Sequence, residues 1–390
     1  MAKILIAGIG GGKKDNGSYK VANYSIKDEK TGEIEIYENE KFVTSAIEKY
    51  YKIDKTIYIG TVGSMWDSLY SYYCDKYKIE KDSNYEIELY NVSSVAKKED
   101  NISVLNIEKF NKIFEGKVEA RITKYGINTK EIFENFNIIM YLQDVLNDGD
   151  EIFIDITHSF RSNAMWMFLV LSYITDVLDK KIDVRAITYG MFEASNYEGI
   201  TPIVNLKAFY DLMKWIKGAS EFKNYGNSYT FLDMIENKNI TENVKKFSDA
   251  VNLNYVGSIM ENISRIKEIM EDVERIEGPG QILIPEIVKD FVKRFENTKR
   301  ESEVLLKLAE WYMENKRYAM VAININESIK SYIKEIFEIK DKNKNVIKIT
   351  SYFENIKMIK SDEFTQYFEN MERSKSESFY EKEKIEKQLS

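Results

Sequence analysis

The chain has 390 residues, enough to bury a large core and to form two domains. Charged residues make up 31% of it and hydrophobic residues 44%, as in ordinary soluble globular proteins. The net charge of −8 argues against non-specific binding to DNA or long RNA, which needs a basic surface, but leaves room for a local basic pocket. A single cysteine, Cys74, excludes an internal disulfide and a cysteine zinc cluster, and a single histidine, His158, excludes a site built on two imidazoles.

The N-terminus shows no signal peptide, because its apolar run stops at glycine after the length of one strand. No apolar run in the sequence is as long as a membrane span. We therefore expect a cytoplasmic protein.

A glycine-rich loop follows the first predicted strand, at residues 3–7. Glycines at a strand end allow a ligand to approach the backbone closely. A dinucleotide fingerprint would need glycine at Lys13, and a phosphate-binding P-loop would need serine or threonine where Asp15 follows the lysines. The loop therefore argues against NAD and ATP, and a plain glycine turn and a ligand loop remain alternatives.

Residues 19–26 and 33–37 predict a hairpin, residues 42–51 a helix and residues 56–60 the second strand of the sheet. Thr61, Gly63 and Ser64 come directly after that strand, where the next helix would be capped. Three large residues at helical spacing then predict core positions, namely Trp66, Leu69 and Tyr70. A further strand is predicted at residues 86–92 and a helix at residues 130–146.

The segment at residues 155–162, DITHSFRS, lies between an apolar strand at 152–154 and a long apolar helix beginning near 164. It places a carboxylate, hydroxyls, an imidazole and a guanidinium at the edge where parallel strands end and ligands bind. The amides of the first helical turn and the fork of Arg161 suit an anion such as phosphate. Two structural alternatives stay open: Asp155 fixes the turn with Arg161 as its partner, and His158 is a satisfied histidine at the strand end.

A later strand at residues 184–189 ends at Gly190 and Met191, so that strands and helices alternate as in an α/β sheet over residues 1–205. Beyond it the pattern is helical, at residues 206–220, 247–276, 287–296 and 301–339, with a proline- and glycine-containing break at 277–285. The helix at 301–339 carries two apolar stripes, one of Leu305, Leu308, Trp311 and Tyr312 and another of Ile325, Ile329, Ile333 and Ile336. The charged residues 371–390 predict a solvated or frayed helix.

Four stretches resemble the CRISPR-associated Rossmann-fold (CARF) proteins of type III CRISPR systems, in the subgroup that adds a helical HEPN ribonuclease domain. They are residues 3–12, residues 59–67 (IGTVGSMWD), residues 155–162 (DITHSFRS), and residues 189–193 (YGMFE) with the 201–203 and 215–216 segments after them. The DITHSFRS block is the specific one, and the similarity covers about the first 230 residues. The resemblance implies a Rossmann-like CARF sensor at residues 1–205 and an all-α, HEPN-related effector or dimerisation domain at 206–390.

The resemblance also implies a homodimer whose two CARF domains share a cleft for a cyclic oligoadenylate of four or six adenylates, with no other cofactor and no metal. The two-fold symmetry of such a dimer offers two copies of each hydrogen-bond donor to the phosphates of the ring. The ligand-binding residues it implies are Gly10, Gly11, Gly12 and Lys13 in a first phosphate loop, Thr61, Gly63 and Ser64 in a second, His158, Ser159, Phe160 and Arg161 at the centre, and Tyr189, Gly190 and Met191 on the adenine side.

The helical part departs from the family pattern. Members of this kind cleave single-stranded RNA with an arginine and a histidine separated by four to six residues, but no histidine follows His158 here. The nearest candidates, Arg317 with Asn324 and Arg373, are more typical of surface or packing positions. The domain is then a degenerate one that dimerises or transmits the signal, or it has lost its catalytic end, or it uses a chemistry without histidine.

A second hypothesis makes the sensor itself an enzyme, a ring nuclease that slowly cleaves its ligand in line through the ribose 2′-hydroxyl, with His158, Ser159 and Arg161 as helpers. A metabolic nucleotide-binding enzyme would need a cofactor fingerprint or a base–nucleophile pair, and the sequence contains neither.

Overall fold

The computed structural model describes residues 1–11, 14–15, 18–19, 21–158, 161–178, 180–235, 238–255 and 297–336, with single residues or short pieces at 257, 259, 290–291, 293–295, 339–340 and 346–347. For some of these positions only the backbone is described, namely residues 14–15, 18–19, 161–164, 231, 334, 336, 339–340 and 346–347. The chain divides into two compact units, Met1–Leu212 and Met213–Ser390.

The first unit alternates strands and helices. Its strands are β1 (Lys3–Ile9), β2 (Lys14–Asp15), β3 (Ser18–Tyr19), β4 (Ala22–Lys27), β5 (Ile34–Glu40), β6 (Lys55–Gly60), β7 (Val118–Ile122), β8 (Glu151–Asp155), β9 (Asp183–Gly190) and β10 (Ile200–Asn205). Its helices are α1 (Val43–Tyr51), α2 (Trp66–Tyr77), α3 (Ser83–Val95), α4 (Ile107–Ile113), α5 (Thr129–Ile139), α6 (Leu142–Val145) and α7 (Arg161–Asp176), with 3-10 turns at Ile102–Val104 and Phe192–Ala194.

Within the described residues, eight strands form one sheet in the order β5-β4-β10-β9-β8-β1-β6-β7. The five strands from β9 to β7 are all parallel, so their carboxyl ends meet at one edge. β10 runs antiparallel to β9, and the predicted hairpin of β4 and β5 completes the sheet beyond it. The sequence prediction of an α/β sheet followed by a helical region is confirmed.

The core of this unit is packed on the sheet and on α2. Leu5, Ala7, Trp66, Leu69 and Tyr70 are all at most 1% exposed, as the apolar strand pattern and the helical spacing predict. Burial of side chains of this size removes enough apolar surface from water to dominate the stability of the unit.

The strand predicted at residues 86–92 is wrong, because the segment lies in α3. The Asp82 side chain accepts a hydrogen bond from the Tyr85 amide at 3.1 Å and so caps the helix. Tyr85 and Leu89, one helical turn apart, are both buried at 1% exposure. The cap and this tertiary packing outweigh the local β-propensity of the segment.

The single helix predicted at residues 130–146 is in fact two, α5 and α6, separated at Met140 and Tyr141. The helix predicted at 301–339 is likewise two, α11 (Glu301–Glu314) and α12 (Tyr318–Ile336), and Ile339 lies in a short strand. Lys316 between them adopts a left-handed conformation with φ of 58°, which ends the first helix.

The second unit is mostly helical within the described residues. Helix α8 (Lys207–Tyr225) contains the division between the units, and α9 (Tyr229–Leu232) and α10 (Lys238–Asn252) follow before α11 and α12, with the short strands β11 (Ile339–Lys340) and β12 (Val346–Ile347) after them. The core of this unit includes the first predicted stripe, whose members Leu308, Trp311 and Tyr312 are buried. The helix predicted at 247–276 overlaps the end of α10, and most of its remainder, half of the helix predicted at 287–296 and all of the tail at 371–390 lie outside the described residues.

Helix α12 buries a different face from the one that its second apolar stripe would predict. Val321, Asn324 and Ser328 are at most 9% exposed, whereas Ile325 and Ile329 of the stripe are 41% and 48% exposed. An apolar stripe is therefore not a sufficient guide to which face of a helix packs within its own unit.

Candidate functional site

The topology of the parallel strands creates a crevice at the carboxyl ends of β1 and β8. From β1 the chain first forms the β4–β5 hairpin at the far edge of the sheet, then adds β6 and β7 on one side of β1, and then returns to β8 and β9 on the other. The order in which the parallel strands are added therefore reverses between β1 and β8. In open α/β sheets this switch point is where ligands bind.

Glycines allow the loops at this edge to touch. A Cβ atom at Gly10 would lie 3.2 Å from the backbone oxygen of His158, and one at Gly11 would lie 3.2 Å from the backbone oxygen of Gly63. These distances are tighter than ordinary van der Waals contacts, so larger residues would force the loops apart. The structure therefore brings together the predicted loops after β1, β6 and β8.

The Ser64 hydroxyl fixes the loop after β6 to the end of β1. It donates a hydrogen bond to the Ile9 carbonyl at 2.7 Å and accepts one from the Thr61 amide at 3.1 Å. The Trp66 indole donates to the Thr61 carbonyl at 2.8 Å. Ser64 and Thr61 are 1% and 3% exposed, so the structure places them beneath the loop surface.

A cleft of about 60 Å³ lies at the switch point. Two segments of the chain and three further residues surround it, namely Gly8, Ile9, Gly10 and Gly11, then Phe42, Val43 and Thr44, and finally Tyr58, Met65 and His158. The volume corresponds to about two water molecules at liquid density, so the cleft admits the edge of a ligand rather than a whole nucleotide.

The turn after β8 is tied to β9 through a buried carboxylate. Thr157 Oγ1 donates to Asp155 Oδ1 at 2.6 Å and accepts from the Gly190 amide at 2.8 Å. Thr188 Oγ1 lies 3.3 Å from the same carboxylate oxygen. Asp155 is completely buried, and burial raises its pKa to about 7 against the opposing effect of these hydrogen bonds.

His158 sits on the exposed side of this turn. Its ring centroid is 6.1 Å from that of Phe192, which in turn is 6.1 Å from that of Tyr24. The surrounding protein disfavours the imidazolium by desolvation and lowers the pKa of the histidine below its usual value. The imidazole is therefore mainly neutral near pH 7, able to accept a proton or a hydrogen bond.

The end of β9 lies beside the same turn. A Cβ at Gly190 would be 3.1 Å from Thr157 Cγ2 and 3.4 Å from Val43 Cγ2, and the Met191 amide donates to the Pro202 carbonyl at 2.9 Å. Tyr189 and Met191 are partly exposed. The predicted adenine-side residues thus lie at the end of β9, the strand next to the central loop.

Several predicted ligand residues cannot be placed. Gly12, Lys13, Ser159 and Phe160 lie outside the described residues, and for Arg161 only the backbone, which begins α7, is described. Their roles stay predictions.

Arg317 precedes α12 and has structural partners. Its guanidinium donates to the Tyr225 carbonyl at 3.3 Å and lies 5.0 Å from the centre of the Tyr312 ring. Asn324 is buried and donates to Asn254 Oδ1 at 2.9 Å. These contacts match packing positions, and Arg373 is outside the described residues.

Sequence reasoning missed Thr44 and Tyr58, which line the cleft although they belong to none of the predicted ligand loops. A hydroxyl in the middle of the apolar β6 strand was the available signal for Tyr58. No spacing in the sequence connects it to Thr44, because their contact is made only by packing α1 on the sheet.

None of the described helices combines the length and hydropathy needed to cross a membrane. Among the described side chains there is also no group of three or more histidine, cysteine, aspartate or glutamate residues suited to a metal ion.

Comparison with known proteins finds similarity over both parts of the chain. Residues 4–193 match the CARF domain of the CRISPR system endoribonuclease Csx1, and residues 211–302 match the second domain of the CRISPR-associated protein MJ1674. The MJ1674 protein of Methanocaldococcus jannaschii is 31% identical over 368 residues, which cover 89% of this chain. The chain spans only 57% of the length of that relative.

Among solved structures, the chain is similar to Enterococcus italicus Csm6 bound to cyclic hexa-2′-fluoro-hexa-dAMP. The similarity has a TM-score of 0.36 at 13% identity and covers 95% of this chain and 77% of that one. The residues that surround the cleft thus lie in a segment similar to the CARF domain of Csx1, and most of the chain is similar to part of the MJ1674 protein.

Proposed function

We propose that the protein is a cyclic oligoadenylate receptor of type III CRISPR antiviral defence. The observation that carries this proposal is the meeting of three loops at one switch point: Gly10 against His158, and Gly11 against Gly63. The similarity of residues 4–193 to the CARF domain of Csx1 supports the proposal, because Csx1 is a protein of CRISPR systems.

The chemistry of the edge suits a ligand with several phosphates. Glycine backbone amides and the first turn of the 16-residue helix α7 provide donors, and Lys13 and Arg161 provide positive charge in an otherwise acidic chain. Arg161 is our principal candidate for a phosphate contact, because a guanidinium binds phosphate in a bidentate manner.

A second copy of the chain would complete the site. Helices α5 and α7 pack together through Phe136 and Trp166, with ring centroids 5.3 Å apart. Their outer surface carries Phe133, Met165 and Leu169, which are 59%, 69% and 55% exposed. A two-fold dimer through this face would bury apolar surface and bring two copies of the α7 start toward one ring.

Calorimetric titration of the full chain tests the proposal, with cyclic tetra-adenylate and cyclic hexa-adenylate as ligands. Linear tetra-adenylate is the matched control, since it carries similar charge without the ring. We expect saturable binding of one ring per two chains at micromolar or lower concentration, and weaker binding of the linear form. Absence of binding of both rings in that range would contradict the proposal.

The helical unit is proposed to be HEPN-related and to transmit ring binding, with ring-activated cleavage of single-stranded RNA as its candidate output. Its described residues supply the packed Arg317 but no histidine. A fluorescent RNA reporter with and without the ring measures this activity, and a signal retained by Arg317→Ala would exclude that residue from catalysis.

Ring cleavage within the CARF domain is a second candidate, favoured by the lowered pKa of the exposed His158. A neutral imidazole can take the proton of a ribose 2′-hydroxyl. Stoichiometric incubation of labelled ring with the protein and with His158→Gln distinguishes binding from cleavage: a ring that stays intact for hours with the unaltered protein argues against a ring nuclease.

A further inference from the structure

A chain of buried hydrogen bonds runs from the cleft to the surface of the first unit. Thr44 Oγ1 is 2.7 Å from the Tyr58 hydroxyl, which is 2.9 Å from the Tyr73 hydroxyl. Tyr73 donates to Glu48 Oε1 at 2.5 Å, and Lys76 Nζ donates to Glu48 Oε2 at 2.7 Å. Thr44 and Tyr58 line the cleft, whereas the other members of the chain do not.

The partners of Glu48 fix the direction of every bond in this chain. Its carboxylate accepts from Lys76, Thr56 and Tyr73, so the single Tyr73 proton points at Glu48. The Tyr73 oxygen can then only accept from Tyr58. The Tyr58 proton is thereby used, and the Tyr58 oxygen in turn accepts the Thr44 proton.

Burial and the nearby Glu48 carboxylate raise the pKa of both tyrosines, so the two hydroxyls keep their protons near neutral pH. Thr44 and Tyr58 are 2% and 1% exposed. An arrangement in which two neighbouring hydroxyls pointed both their lone pairs or both their protons at each other would therefore leave buried polar groups without a hydrogen bond, which costs free energy. The Thr44 hydroxyl thus donates its only proton to Tyr58, and only the lone pairs of its oxygen remain available to a ligand in the cleft.

We infer that Thr44 is a specificity-determining residue that presents a hydrogen-bond acceptor to the cleft, and that Tyr73 is a positioning residue that sets this polarity. The cleft then favours a ligand edge that ends in an N–H donor, such as the exocyclic amine of adenine, over one that ends in a carbonyl. This inference rests on the proposed ring-binding function, and it adds a physical reason why the site would select adenine as the base of the ring.

The test compares cyclic tetra-adenylate with cyclic tetra-inosinate, which carries a carbonyl oxygen where adenine carries its amine. For the unaltered protein we expect at least roughly tenfold tighter binding of the adenylate ring, the order expected for one buried acceptor left facing another. Thr44→Val should reduce that preference, and Thr44→Ser, which keeps the hydroxyl, should retain it.

Tyr73→Phe gives the sharper result, because it changes no residue that lines the cleft. Without an acceptor at position 73, Tyr58 can donate to Thr44, and Thr44 can donate to the ligand, so the preference should fall or reverse. Thr56→Val is the matched control: it removes a different donor to the same Glu48 oxygen and should keep the preference.

The outcomes separate the inference from the proposed function. If the unaltered protein binds neither ring, both are overturned. If it binds the adenylate ring and the preference is the same in Thr44→Val and Tyr73→Phe, the inference fails and the receptor function stands. Circular dichroism establishes that each variant is folded, and if Thr44→Val is not, Tyr73→Phe alone decides.

Discussion

The backbone amide of Gly190 donates a hydrogen bond to the Thr157 hydroxyl at 2.8 Å, and this bond joins the turn after β8 to the end of β9. The same hydroxyl donates to the buried Asp155. The turn that carries His158 is thus fixed to the sheet by hydrogen bonds. Its position depends on the Thr157 hydroxyl, the Gly190 amide and the Asp155 carboxyl.

Replacing Thr157 by valine keeps the size of the side chain and removes both hydrogen bonds. The Gly190 amide and the Asp155 carboxyl would then lose a partner, and we expect the free energy of unfolding to fall by about 1–3 kcal/mol. Urea unfolding measures this. Thr31→Val, in the exposed turn between β4 and β5, is the control and should change stability little. Equal effects of both substitutions would show that the Thr157 contacts are not important.

The buried Asp155 predicts a pH dependence of stability. Its pKa is raised in the folded protein to about 7 from 3.8, so the folded state binds more protons between these values and loses stability as pH rises through the window. Between pH 5 and pH 8, ionisation of Asp155 should lower the free energy of unfolding by about 3 kcal/mol. The measurement is urea unfolding at both pH values for the unaltered protein and for Asp155→Asn, whose amide does not titrate.

The difference between the two proteins isolates Asp155 from the other carboxylates. We expect the unaltered protein to lose more stability than Asp155→Asn as pH rises. Parallel profiles, or a larger loss in Asp155→Asn, would mean that the carboxyl group is ionised in the folded protein throughout.

Arg161 at the start of α7 is expected to contact a phosphate of the ring. Arg161→Ala should weaken binding of cyclic tetra-adenylate by about 2–3 kcal/mol, the range for a lost hydrogen bond between charged groups. Arg185→Ala is the matched control, because Arg185 is an exposed arginine near the start of β9, paired with Glu151 and Asp183. Calorimetry should show normal binding for that variant, and equal losses would indicate only a general effect of charge.

Gly60 at the end of β6 has no room for a side chain. A Cβ there would lie 2.5 Å from Ile9 Cγ2 and 2.8 Å from Ser64 Oγ, so Gly60→Ala should destabilise the protein by about 1–3 kcal/mol through overpacking. Gly257→Ala, where a Cβ would have no atom within 4 Å, is the control. Thermal unfolding compares them, and an unchanged melting temperature for Gly60→Ala would show that the loops at this edge can separate easily.

The sequence alone determined four of the five parallel strands, β1, β6, β8 and β9, and the segments that follow them, whereas it gave no prediction of β7. The apolar runs at β1, β6 and β8 are continuous because these strands are buried on both faces, whereas β9 carries the exposed Arg185 near its start. Polar and glycine residues directly after such runs must then lie at the carboxyl edge of the sheet. For that reason the loops containing Gly10, Gly63 and His158 could be assigned to one site before any coordinates.

Only the tertiary structure decided how that site is built. It made α3 a helix, because Tyr85 and Leu89 gain burial that local propensity does not measure. It turned Ser64 toward Ile9, and it joined Thr44, Tyr58 and Tyr73 to Glu48. The direction of a hydrogen bond depends on which groups meet in space, and residues that meet by packing a helix on a sheet share no spacing in the sequence.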